Sequence, residues 1–120
     1  MGYIRHNAIV VTSWDDGHID VAAEEAARLG LQVIGPSEAI HNGYRSILVC
    51  PDGSKEGWAE SIEGDTKRSA FCKWLDTCRY PGGSSRLEWV EISYGSDDRT
   101  ATVERHGWTT LADEDTPEGV

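Results

Sequence analysis

This chain of 120 residues lacks long apolar runs: none approaches the ~18 residues that a membrane-spanning helix needs. The opening Met1-Gly2-Tyr3-Ile4-Arg5-His6 also lacks the apolar stretch of a secretory signal, so a cytoplasmic protein without membrane association is expected. Cysteine is scarce. Cys50, Cys72 and Cys78 form an odd set with no CxxC spacing, which points to reduced thiols and not to a disulfide framework. Positive charge is in short supply too, with 11 Lys and Arg against 21 Asp and Glu and a formal charge of −10. Such a chain opposes phosphate neutralisation over a long footprint, so no nucleic-acid partner is expected. No glycine cluster fits a phosphate-binding loop, because Gly82-Gly83-Ser84-Ser85 follows a predicted helix instead of preceding one. The histidines, His6, His18, His41 and His106, make no pair at metal-ligand spacing, and Cys72 and Cys78 are misaligned on their helix. No metal or other cofactor is therefore expected.

The chain does have alternating apolar strands and two helical stripes. Residues 7–13 form a β-branched run suited to a strand buried on both faces. Asp15 and Asp16 can cap a helix that places Ile19, Ala22, Ala23, Ala26 and Leu29 on one face, with Gly30 at its end. Leu31–Ile34 reads as a short strand and Tyr44–Cys50 as a second central one. Pro51-Asp52-Gly53-Ser54 is turn chemistry from which Glu56–Glu60 can return as a hairpin partner. Asp65 is the expected cap of a second helix, with Ala70, Phe71, Trp74, Leu75 and Cys78 in one stripe. Arg86–Tyr94 and Arg99–His106 then read as a closing hairpin. The order β-α-β-β-β-α-β-β predicts a single α+β domain over residues 1–111. Its architecture is a two-layer sandwich, with a mixed or mainly antiparallel sheet of five to six strands and two helices on one face. Residues 112–120 read as an acidic, solvated tail.

Two helices cover one sheet face, yet the strands at 44–50 and 86–94 carry apolar residues on both. In the latter, Leu87 and Trp89 point one way while Val90, Ile92 and Tyr94 point the other. One of these sets needs a further cover. Either the N-terminal segment and Trp108-Thr109-Thr110-Leu111 fold across it or it is an association surface; a homo-oligomer, most simply a two-fold dimer, is expected, with Leu87 and Trp89 as its interface anchors.

Residues 9–20, Ile-Val-Val-Thr-Ser-Trp-Asp-Asp-Gly-His-Ile-Asp, resemble the first motif of the NodB-type polysaccharide deacetylases. That resemblance implies a general base at Asp15 and a metal ligand at Asp16, hence a metal-dependent hydrolase as one alternative. It ends near Ile34, and the pair of histidines four apart that the family uses for its metal is missing. A second resemblance spans most of the chain. Arg5–Ser13, Pro51–Trp58, Glu60-Ser61 and Gly64-Asp65 look like small accessory proteins of phages that infect actinobacteria. It implies a non-enzymatic host-takeover or counter-defence protein that binds a host protein or sequesters a signal in the host cytoplasm. A structural component of the virion is a further alternative.

Eight of the basic residues are Arg, and Arg5, Arg45, Arg99 and Arg105 fall near predicted strand ends with Tyr44, Tyr94 and Trp108 close by. Planar guanidinium forks beside aromatic rings suit a small anionic, base-bearing ligand such as a nucleotide signal. The candidate ligand set is therefore Arg5, Arg45, Tyr94, Arg99, Arg105 and Trp108, with no catalytic residue nominated.

Overall fold

The β-branched run at residues 7–13 becomes the middle strand of a sheet, as its two apolar faces require. A computed structural model describes residues 4–54, 57–95 and 100–107. The elements are β1 (His6–Ser13), α1 (Asp16–Arg28), β2 (Val33–Ile34), β3 (Arg45–Val49), α2 (Ala59–Asp76), β4 (Glu88–Gly95) and β5 (Thr100–Gly107). The sheet order is β2-β3-β1-β4-β5, antiparallel at every junction. Both helices pack on one face, which makes an α+β two-layer sandwich. Nothing among the described residues is long and apolar enough to be a membrane-crossing helix.

The core lies between that face and the helices. Ile9 and Val11 of β1, Ile47 and Val49 of β3, Leu87 just before β4 and Trp89 within it meet Ile19, Ala22 and Ala26 of α1. Phe71, Cys72 and Leu75 of α2 close the cluster. Asp15 caps α1 as its sequence position suggests, with its carboxylate accepting from the His18 backbone N–H at 3.1 Å. Gly30 follows the helix at φ 88°, a conformation that glycine adopts without steric penalty.

Four expectations are corrected. Leu87 and Trp89 do not form an exposed interface: both are buried in the core beneath α2. The side chains alternate along β4 as the sequence predicts, but the helices cover the Leu87/Trp89 side, which leaves Val90, Ile92 and Tyr94 on the open face. Residues 57–60 are not a returning strand, because α2 begins at Ala59, and Asp65 lies within the helix instead of capping it. The first half of α2 buries Ser61, Gly64 and Arg68, so no apolar period announces it. Ala70, expected in the apolar stripe, is exposed. The expectations for residues 96–99, Trp108 and the acidic tail lie outside the described residues.

Gly107 shows how tightly β4 and β5 fit. A Cβ there would overlap the indole of Trp89, its cross-strand partner. Gly107→Ala therefore displaces a core tryptophan and should destabilise the fold by about 1–3 kcal/mol. The measurement is a lower urea midpoint at unchanged slope.

Candidate functional site

Along the inner face of β4, the side chains change from apolar to polar: Trp89, Glu91, then Ser93, all buried. Helix α2 runs opposite and changes in step, with Leu75 and Cys72 near the apolar end and Arg68 over Glu91. The Glu91 side chain is 5% exposed and Arg68 is 4% exposed, so this is an ion pair taken out of water. Arg68 Nε stands 3.6 Å from Glu91 Oε2 and has no hydrogen-bond acceptor among the described residues. Its terminal nitrogens face Asp65, one turn earlier on the helix, and Asp52 at 3.9 Å. Gly64 makes that approach of Asp52 possible, since a Cβ there would sit 2.7 Å from Asp52 Oδ2. Burial works against ionisation of Asp52, but donation from Ser54 and the charge of Arg68 outweigh it and hold the carboxyl below its ordinary range.

Glu91 has a second cation. Arg105 Nε donates to Glu91 Oε1 at 2.5 Å, and this bond raises the affinity of the guanidinium for its proton. The register explains how a β5 residue reaches inward. Glu91 pairs with Arg105 while Ile92 pairs with Val103, so Glu104 is an extra residue and the strand bulges there. Nε makes the one side-chain hydrogen bond of Arg105 among the described residues, and the residue lines a cleft of about 540 Å3. That cleft is lined by Arg5, Asn7, Asp65, Glu91, Ser93, Glu104 and Arg105. A cleft of about 480 Å3 adjoins it, sharing Glu104 and Arg105 and reaching Trp89, Cys72, Lys73, Asp76 and His106. Together they form a groove between α2 and β5.

Two of the six candidate ligand residues meet in this groove. Arg105 presents its guanidinium there. Arg5 instead ties down the β4–β5 hairpin, donating to Ser93 Oγ at 2.8 Å and to the Gly95 and Ser93 carbonyls. Arg45 lies at the other end of the sheet, paired with Ser13 in the ladder and directed to Asp20 and the Ser37 carbonyl. Tyr94 lies on the opposite sheet face, its ring 5.3 Å from that of His6. Arg99 and Trp108 are outside the described residues. Sequence reasoning missed Asn7, Asp65, Glu91, Ser93 and Glu104. Strand alternation held the signal for two of them, since Glu91 and Ser93 follow Leu87 and Trp89 at every second position.

Asp15 is engaged elsewhere. Besides capping α1, it lies 3.6 Å from Arg86 and 3.5 Å from the Tyr80 hydroxyl, and the Arg86 guanidinium sits 4.3 Å above the Tyr80 ring. The side chain of Asp16 is outside the described set. Among the described residues no three His, Cys, Asp or Glu side chains gather at metal-ligand spacing. A third cleft, about 570 Å3, lies on the other side of α2 between Leu31, Cys50, Trp58 and Lys67. Comparison with family models, curated proteins and solved structures returned no match to this chain.

Two measurements check the site. Removing the Glu91 carboxylate leaves the buried Arg68 without its inner partner, so Glu91→Ala should lose about 3–5 kcal/mol in chemical denaturation. The Cys72 thiol is pushed up to about 12 by burial and by the charge of Glu91, and burial raises that of Cys78. At pH 8, a thiol reagent should therefore label only the half-buried Cys50 in the native protein, and all three cysteines once it is unfolded.

Proposed function

We propose that this chain is a non-enzymatic binding protein that holds a small anionic ligand, of the kind a nucleotide signal provides, in the groove between α2 and β5. The observation that carries this reading is Arg105. Its Nε is anchored on a buried carboxylate, and the residue lines the cleft together with Asn7 and Ser93. An arginine held at one end is pre-organised, so binding an anionic oxygen pair loses little side-chain entropy. Glu104 and Asp65 at the rim limit how much negative charge the ligand carries and favour one with hydrogen-bond donors beside its anionic group. The buried thiols and the engaged Asp15 support a binding role over a catalytic one.

The resemblance to phage accessory proteins suggests what such binding is for. A small protein made inside a host cell could withdraw a nucleotide signal from host enzymes by mass action, with no turnover. Under this reading the protein works in the host cytoplasm.

A panel of cyclic and linear mononucleotides, followed by thermal unfolding and tryptophan fluorescence, tests the proposal. One class should raise the unfolding temperature, with about 2.7 kcal/mol of stabilisation at a hundredfold excess over Kd. Arg105→Lys keeps the charge facing Glu91 but loses the planar fork, and should weaken binding by about tenfold or more. Arg45→Lys, at the far end of the sheet, should leave binding unchanged. No response to any nucleotide at millimolar concentration would refute the reading.

A further inference from the structure

Apart from the groove, the largest unexplained feature is the sheet face turned away from the helices. Val10 of β1 pairs with Leu48 of β3 and with Val90 of β4, making one apolar row across the sheet. Ala8, itself buried, makes a second row beside it with Ile92 and Val103. None of these six belongs to the helix-side core. The face is also poor in charge. Although the chain holds 21 Asp and Glu, the strands place one carboxylate on this face among the described residues, Glu88 at its margin opposite Thr12. Depletion of charge within an apolar patch is the compositional mark of an interface core.

The edges of the sheet do not invite association. β2 is two residues long and leads into Gly35-Pro36, while β5 is broken by the bulge at Glu104. Short and bulged edges resist strand addition, so contact falls to the face.

We propose that a second copy of this chain packs on this face, forming a two-fold dimer by sheet-on-sheet stacking. Electrostatics selects that occupant. Two copies at −10 each repel wherever their carboxylates meet, and this is the acid-poor side of the molecule. A basic partner would gain little here, because the face offers it one carboxylate. Residues 112–120 carry Asp113, Glu114, Asp115 and Glu118, a composition suited to water, and Trp108 and Leu111 before them are too few to cover two rows of three apolar side chains. The rows are self-complementary: a two-fold axis lying across the strands between them sets each row against the other. It also brings Glu88 of one copy toward the His6 corner of the second. Strands about 4.8 Å apart with about 3.3 Å per residue make the face roughly 20 Å square, small for an obligate interface. The dimer is therefore reversible in the micromolar range, and it leaves the groove open on its outer side.

Sedimentation of the full chain from about 1 to 200 µM tests this. The average mass should rise from the 13.2 kDa of one chain toward twice that value. Ile92→Lys should stay monomeric throughout with native far-UV circular dichroism. Should that variant fold poorly, Val90→Thr keeps a strand-favouring shape and should raise the dimer dissociation constant by about tenfold. Arg105→Lys, on the other face, should dimerise as the unmodified chain does. A chain that stays monomeric at 200 µM overturns the proposal. So does a dimer that neither Ile92→Lys nor Val90→Thr weakens.

Discussion

Glu91 is a carboxylate that cannot be left alone. Buried on the inner face of β4, it requires positive charge at contact distance, and an unpaired ion there would forfeit several kcal/mol. Arg68 arrives from α2 and Arg105 from β5, so one side chain holds together the helix layer, the central sheet and the edge strand. Apolar contacts tolerate a helix sliding by part of a turn. A carboxylate shared between two guanidinium groups does not. The ion pairs therefore set the register of α2 over β4, while Phe71 and Leu75 supply the burial that makes docking favourable. Gly64 belongs to the same arrangement, since it opens the space through which Asp52 faces Arg68.

The bulge at Glu104 has two effects that follow from this constraint. It turns Arg105 inward to reach Glu91, and it breaks the pairing potential of an otherwise regular eight-residue edge. One irregularity thus completes the buried network and blunts the edge of the sheet. The residue it places also lines the cleft, so one side chain belongs both to the buried network and to the wall of the groove.

The two faces of the sheet divide the labour of the molecule. The helix side is apolar at one end, where Trp89 and Leu87 pack, and polar at the other, where the groove opens between α2 and β5. The far side carries two apolar rows across the middle of the sheet, Leu48-Val10-Val90 and Ala8-Ile92-Val103, with Ser46, Thr12 and Glu88 at its margin. A protein built this way has a polar groove on one side of its sheet and an apolar face on the other, and the intervening sheet keeps them apart.

Elements with a regular apolar period were legible in the chain itself. β1, α1, β3, the second half of α2 and β4 follow from spacing, because burial of one face imposes a period of 2 or 3.6, while β5, which has no buried position, is announced by the turn residues before it. Capping by Asp15 was legible for a similar reason, since an acceptor is needed there whatever the surroundings. The start of α2 was hidden, because its buried positions are Ser61, Gly64 and Arg68, which carry no apolar signal. Alternation separated Leu87 and Trp89 from Val90 and Ile92, but it could not say which set the helices would cover. That choice depends on the side to which the chain crosses between strands, a property of the whole topology. The site depended on the fold in the same way. Arg5 and Arg105 are a hundred residues apart in sequence and meet only because β1 and β5 flank β4. Arg45 and Tyr94, equally good candidates by composition, were carried to the far end and the far face. Local chemistry determined which residues could bind an anion; only the strand order decided which of them share a cleft.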